Sequence, residues 1–406
     1  MIIINLERKT TFMILVGIDI GKNKHSYCIY NSDTGELSSS PKFFDNNQEG
    51  FKSVLNNIRS WPKKEVLIGM EDTGHYHFAL LKYLLDKNYT VALINPITTD
   101  LQRKLEGSIS KNDKLDTITI CNVLASNAKN KPYRISKVNS FDMYEQRQLT
   151  RHHHNLKEEL NVYTNRLQKC IDIVFPEFNS LFNSKYGVVY MNILEKLGSA
   201  YSIAHTDIRN IKKCFEFEGK GNRIKLSAED LKSAACKSVG IHSVSDEIQI
   251  KHLVSQIKLI EEQIKEIDKK IEEFSISNNS PILSVPGISH FSGTSILAEL
   301  GDIGNFSSFK QIIKFAGVAP IHYESSQFNA PHTKISKKGS KYLRKTLYQI
   351  ILPVITYNPV FKKYYDLKIS QGKSCRCAQG HCVRKLLRLI FHLLKSNTCF
   401  DPALLR

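Results

Sequence analysis

Residues Met13 to Tyr30 read MILVGIDIGKNKHSYCIY, and the fold is decided there. Ile14 to Ile20 form an apolar run, Gly-Lys-Asn-Lys makes a short connection, and His-Ser-Tyr-Cys-Ile-Tyr follows. Two strands joined by a tight turn fit this pattern. Working outward, Asn31 to Gly35 makes another turn before a third strand near Lys42 to Asp45. Phe51, Val54, Leu55 and Ile58 then recur at helical spacing within Gln48 to Ser60. Val66 to Met70 reads as a short strand ending at Glu71, Phe78 to Leu85 as a helix, Val91 to Asn95 as a strand, and Thr98 onward as another helix. A strand meander followed by alternating helices and strands predicts an α/β layer architecture, in which functional side chains gather at strand ends.

Acidic residues occupy two such ends, Asp19 in VGIDIG and Glu71 in IGMEDTG, and a further pair, Asp113 with Asp116, stands in KNDKLD. The chain around them has 57 Lys+Arg against 39 Asp+Glu, a formal charge of +18 and a pI near 9.3. That balance is the electrostatic footprint of a nucleic-acid partner, so a cluster of carboxylates needs a reason. Phosphodiester chemistry supplies one. A two-metal site needs hard oxygen ligands from separate elements, with ions roughly 4 Å apart across the scissile phosphate. Asp113 and Asp116, spaced i, i+3, share a face if a helix starts near Asn112 and runs through Ile118, Ile120 and Leu124. Most such pairs taken alone only serve the helix, Asp113 capping it and Asp116 favouring its positive end.

An anionic membrane surface is the other partner a basic chain could have. No stretch of eighteen apolar residues occurs, and Glu7, Arg8 and Lys9 interrupt Met1 to Leu15, so neither a membrane span nor a signal peptide is expected. The expected localisation is cytoplasmic, nucleoid-associated when acting. Nine cysteines without paired spacings suit free thiols. With 406 residues and 41% hydrophobic content the chain can bury two or three cores.

Past the α/β region, Asp142 to Phe175 is polar and helical. Ile250, Leu253, Ile257, Ile260, Ile264, Ile267, Ile271 and Phe274 alternate three and four apart, a heptad seam that predicts a coiled coil with the first helix. Lys185 to Gly240 is a mixed insert between them. From Pro281, a Pro-Gly-Ile turn leading into Thr294 to Leu300 resembles a helix-hairpin-helix, whose turn offers backbone N–H groups to phosphate. Ala330 to Lys395 then holds fifteen Lys or Arg against one acid, Asp366, interleaved with Tyr342, Tyr348, Tyr357, Phe361, Tyr364 and Tyr365. Basic groups track phosphates and aromatic faces stack on bases. Cys375, Cys377, His381 and Cys382 have poor spacing for zinc and read better as free thiols at the start of a basic helix. His152, His153 and His154 fall in the first long helix, where an interface or RNA contact fits better than a metal. His75 and His77 could orient a carboxylate, touch phosphate, or simply be exposed.

The motifs GIDIGKNKH, EDTGHY and KNDKLD resemble the three acidic motifs of the DEDD transposases, whose catalytic domain is similar to the Holliday-junction resolvase RuvC, with a ribonuclease-H-like fold. VPGIS, AELGDI, FAGVAP, ESSQF and ISKKGSKYLR resemble the transposase domain of the same insertion-sequence family, number one hundred and ten. The resemblance spans Met13 to about Lys395. It implies a RuvC-like domain over 13–140, a coiled-coil region with an insert over 141–278, and a mainly helical transposase domain over 279–406. It implies Mg²⁺ (or Mn²⁺) held by Asp19, Glu71, Asp113 and Asp116, and a serine nucleophile that forms a covalent phosphoserine. The family motif reads Ser-Gly where this chain has Ser325-Ser326: alignment on Gln327-Phe328 selects Ser325, and alignment on a double-serine motif selects Ser326. Lys334, Lys337, Lys338, Lys341 and Arg344 nearby would bind nucleic acid. The implied partners are donor and target DNA, a structured bridge RNA that chooses them, and further copies of the chain as homodimer or homotetramer, one protomer's serine working beside another's carboxylates. A junction-resolving nuclease using metal-bound water, and an inactive nucleic-acid-binding protein, are the rival readings.

Overall fold

The computed structural model describes residues 14–72, 74–107, 113–125, 133–136, 140–216, 225–321, 324–325, 328–329 and 334–404. For residues 39, 113, 114, 134, 136, 140–142, 324, 325, 328, 329 and 404 the description is of the backbone. Residues 1–144 and 145–406 form two compact units.

In the first unit the elements are β1 (Ile14–Asp19), β2 (Lys24–Asn31), β3 (Glu36–Asp45), α1 (Gln48–Ile58), β4 (Val66–Glu71), α2 (Phe78–Asp86), β5 (Thr90–Ile94), α3 (Pro96–Leu105), α4 (Asp113–Ala125) and β6 (Tyr133–Ser136). They build one six-stranded sheet in the order β3-β2-β1-β4-β5-β6. β1, β4 and β5 run parallel, while β2, β3 and β6 are antiparallel to their neighbours. A meander that then crosses over to parallel strands is the ribonuclease-H-like arrangement the sequence leads one to expect. β3 begins well before the expected Lys42, because its first half, ELSSS, is polar and largely exposed and carries no alternation to read.

The apolar runs are continuous because both faces of the sheet are covered. Ile14, Val16, Ile18, Val66, Ile68 and Met70 point to α1 and α2, joining Phe51, Val54, Leu80 and Leu84. Leu15, Cys28, Leu67, Ala92 and Ile94 point to α4, joining Ile120, Cys121 and Leu124.

In the second unit, α5 (Ser140–Val174, from residue 145 on), α6 (Val188–Lys196), α7 (Ala200–His205), α8 (Ile208–Lys212), α9 (Ala228–Cys236) and α10 (Val244–Asn278) are followed by α11 (His290–Leu300), α12 (Phe309–Phe315), β7 (Glu324–Ser325), β8 (Phe328–Asn329), α13 (Lys341–Tyr357), α14 (Pro359–Ser370) and α15 (Cys375–Ser396). α5 and α10 lie antiparallel, with Gln146 bonded to Asn278 at 3.3 Å and His153 3.2 Å from Asp268. The seam residues Ile260, Ile264, Ile267 and Ile271 are buried with Leu156, and Ile250, Val254 and Ile257 with Leu167 and Ile171. The coiled coil thus closes within one chain, so its seam is not an open dimerisation face. The insert helices α6 to α9 add Tyr190, Ile193 and Leu231 to the core at the far end of the pair.

The Pro-Gly-Ile turn serves packing rather than phosphate. A four-residue 3-10 turn, Pro281–Ser284, stands where a helix-hairpin-helix needs its first helix. Gly287 has φ +95 and lies so close to Val354 that an added Cβ would stand 2.6 Å from its backbone nitrogen. The Ile288 and Ser289 N–H groups are spent on Val285 O (3.1 Å) and Ser292 Oγ (2.8 Å).

Candidate active site and nucleic-acid interface

Two glycines seat α4. Gly17 and Gly69 are register partners on β1 and β4, and Cys28 and Ala92 extend this row of small residues to β2 and β5. A Cβ on Gly17 would stand 2.2 Å from Thr117 O, and one on Gly69 would stand 2.7 Å from a Leu124 methyl. At Gly17 the helix therefore lies in a groove that only glycine leaves open, whereas at Gly69 the space is filled by the Leu124 side chain. Side chains alternate along a strand, so Asp19 and Glu71, two residues beyond these glycines, share the α4 face at the C-terminal ends of adjacent parallel strands. Both are half-buried.

Asp113 is the first residue of α4, and Asp116 lies one turn on, buried, just before the Thr117 that meets Gly17. α3 holds two of these carboxylates. Asn95 caps it, accepting from Ile97 N at 3.0 Å. The Thr99 hydroxyl donates to Glu71 Oε1. One turn later Arg103 donates to Asp116 Oδ1 from Nη2 (2.7 Å) and Nε (3.1 Å), and Glu106 accepts from Thr119 and Asn122 of α4. Thr99 and Arg103 escaped sequence reasoning. Their partners are distant in sequence and their i, i+4 spacing resembles any polar helix face.

The donor set is all carboxylate oxygen, which is what Mg²⁺ prefers, so residue chemistry fits a hard divalent ion. Among the described residues no three His, Cys, Asp or Glu side chains group to hold a metal, and the Asp113 side chain lies outside them. The two Arg103 contacts fall on one oxygen of Asp116, Oδ1. His77 is buried with Nε2 3.6 Å from Asp72 Oδ1, so it stands beside the residue after Glu71. His75 is exposed.

The expected nucleophile sits on a hairpin. Ser325 on β7 pairs with Phe328 on β8, and Ser326 lies outside the described residues. The hairpin's base zips through Ile321 N to Lys334 O (2.8 Å), Ser336 N to Ala319 O (2.9 Å) and Lys337 N to Gly317 O (2.9 Å). Lys334, Lys337, Lys338 and Lys341 are exposed. Lys337 has φ +53, a conformation costing ~1–3 kcal/mol for a non-glycine residue and common at functional loops. Arg344 is half-buried. Its Nη1 donates to Ala316 O and Lys337 O, both at 3.2 Å, so it braces the loop.

Beneath that loop lies a charge network the sequence did not disclose. Buried Glu299 accepts from Arg151 Nε (2.6 Å) and Nη2 (3.1 Å) and from Ser340 Oγ (2.7 Å), and Ser340 caps α13. Burial alone would raise the Glu299 carboxyl, but the Arg151 and Ser340 hydrogen bonds outweigh it and hold the pKa below the ordinary value. His154, bonded to Thr346 Oγ1 at 3.0 Å, is pushed down to about 4 by burial and by Lys345. The histidine run thus packs inward at His153 and His154 and only His152 is exposed. Cys375 and Cys377 are exposed free thiols at the start of α15, and Cys382 is buried.

Known proteins resemble this chain in both of its units. A transposase family model of the DEDD insertion-sequence type matches residues 16–176, and the model for transposases of the IS116/IS110/IS902 family matches residues 279–366. Pilin gene-inverting proteins from Moraxella bovis and Moraxella lacunata are each 22% identical, covering 95% of this chain and 97% of theirs. An uncharacterized 42 kDa protein of insertion element IS900 from Mycobacterium paratuberculosis is 28% identical over 30% of this chain and 31% of its own. A structure of Thermus thermophilus RuvC with a Holliday junction substrate matches 27% of this chain and 90% of its own, at 14% identity and TM-score 0.20. The fold assignment rests on the strand order instead. The chain belongs to the IS110 family of transposases. Among the described residues, no helix is long and apolar enough to cross a membrane.

Proposed function

We propose that the protein is a DNA recombinase that cuts and rejoins the ends of its own mobile element, with Ser325 as nucleophile and a divalent-metal carboxylate site. The observation that carries this reading is the glycine-seated α4, whose first turn bears Asp113 and Asp116 while Asp19 and Glu71 end adjacent strands on the same face. Mg²⁺ bound by these four would supply Lewis acidity that offsets phosphate charge. The Ser325 oxygen attacks phosphorus, forming a serine–phosphate ester. The phosphorus–oxygen bond to the neighbouring sugar breaks, and that oxygen takes up a proton to replace the one serine releases to solvent. The exposed lysines at 334, 337, 338 and 341 face the phosphate backbone.

The relatives' name favours rejoining over simple cleavage. Inverting a gene requires every cut end to be joined to a new partner, and a protein–DNA ester conserves the bond energy for that step, whereas attack by water does not. The further proposal that a structured bridge RNA selects donor and target rests on the family resemblance. Reactions stopped with denaturant should contain protein covalently joined to a DNA end, and Ser325→Ala should abolish the adduct. Free ends with no attached protein would support the junction-nuclease reading, and an adduct mapped to residue 326 would move the nucleophile. If protomers share sites, mixing Ser325→Ala and Asp19→Ala chains should restore activity, and no rescue would contradict sharing.

A further inference from the structure

A cavity of about 700 Å³ is lined by residues of α12, α14, α15 and the segment after it, within the ~300–1,000 Å³ typical of ligand sites. α15 contributes Arg384, Lys385 and Arg388, and facing them are Phe309 of α12 and Tyr364 of α14. The Arg388 guanidinium lies 5.0 Å over the Phe309 ring and the Lys385 ammonium 4.6 Å over the Tyr364 ring. These contacts fix two cations at the wall without neutralising them. Among the described residues none of the three pairs with an acid, and the one carboxylate lining the cavity, Asp401, accepts from Ala403 N at 2.8 Å. Burial holds both Lys385 and His381 below their ordinary pKa. Three cations gathered in a half-enclosed space repel one another and lose hydration, a cost that an anion relieves.

The rest of the lining narrows the anion. Ile313, Leu389 and Leu393 beside the two aromatic rings form an apolar wall suited to a flat heterocycle. A duplex presents a convex backbone with its bases stacked inside, so only an unpaired or flipped nucleotide can put phosphate and base into one pocket. We infer that this cavity binds one nucleotide of an unpaired nucleic-acid strand, its phosphate held by Arg384 and Arg388 and its base against the aromatic and aliphatic wall. The site needs no serine chemistry, so it stands or falls apart from the recombination reading.

The test uses the full chain and a short fluorescein-labelled single strand, as DNA and as RNA, with the duplex of the same sequence, over a salt series. Arg384→Ala combined with Arg388→Ala should flatten the single-strand plot of log affinity against log salt by about 0.7, the share of the one phosphate the two arginines hold. The duplex slope should not move, and Arg384→Lys should keep the single-strand slope. Because Arg388 stacks on Phe309, a second measurement leaves the chain unaltered: a single strand carrying halogenated pyrimidines is photocrosslinked and the adducts mapped. Adducts are expected on Tyr364 or α15. An unchanged single-strand slope, an equal fall for duplex, or crosslinks that avoid α12, α14 and α15 would each overturn the assignment. A fall confined to RNA or to DNA supports it and names the strand.

Discussion

Gly17→Ala separates the packing role of the glycine pair from the chemistry it positions. The new methyl would stand 2.2 Å from Thr117 O and 2.9 Å from Cys121 Sγ, where ordinary contact begins at 3.4 Å. The oxygen belongs to helix backbone and cannot rotate away. α4 must therefore lift by about 1.2 Å, the difference between 3.4 and 2.2. Overpacking of this kind costs about 1–3 kcal/mol. Displacing a catalytic group by about 1 Å costs roughly 100-fold in rate, and α4's first turn carries Asp113 and Asp116. The three atoms nearest a methyl at Gly69→Ala all belong to the Leu124 side chain, the first at 2.7 Å. Those can re-orient, so it should cost about 1 kcal/mol and little activity. Adding Cys121→Ala to Gly17→Ala removes the sulfur contact but not the carbonyl clash, and should not rescue. Urea denaturation gives stability, and recombination between two plasmid-borne sites, run where each variant is folded, gives rate. A folded Gly17→Ala chain recombining at the parent rate would refute the reasoning, as would Gly69→Ala proving equally harmful.

Two further predictions follow from buried groups. Arg103→Ala strands the Asp116 carboxylate, whose side chain is 9% exposed, and should destabilise by about 3 kcal/mol, the low end for a buried pair because Arg103 is itself 17% exposed; Arg103→Lys should recover part of this in the same urea titration. His154 is neutral in the folded protein down to about 4, against an ordinary 6.5. Between those values the unfolded chain binds a proton that the native state does not. The contribution of His154 is therefore full above about 6.5 and lost as pH falls toward about 4. His154→Gln, able to keep a bond to Thr346, should flatten unfolding midpoints across that window, only partly because burial lowers His153 in the same direction.

What could be read in the sequence was what periodicity and spacing encode. β1, β4 and β5 were legible as apolar runs because both sheet faces are covered, and Asp19 and Glu71 were legible because they end two of those runs. β6 was not, since its four residues, YRIS, pair only with β5. The repeated Gly-x-acid spacing, Gly17 with Asp19 and Gly69 with Glu71, was the available signal for the α4 seat. Its meaning required the register that brings the glycines side by side. Arg103 and Arg151 were opaque for a different reason: a cation's partner is chosen by the fold, and Arg151 finds Glu299 from 148 residues away. Glu299 itself carried a hint, a lone acid among the small and apolar residues of α11. The seam of α10 was legible too, and the first long helix, α5, covers it as the heptad spacing predicts.

The central claim is that carboxylates from two strand ends and one helix turn serve a common divalent ion. Mn²⁺ titrated into the intact chain and followed by electron paramagnetic resonance tests it directly. Asp19→Asn, Glu71→Gln, Asp113→Asn and Asp116→Asn should each weaken binding by at least the ~10–100-fold that loss of an outer-shell partner costs, while Asp366→Asn on α14 changes nothing. Equal Mn²⁺ affinity in the parent and all four variants would contradict the account.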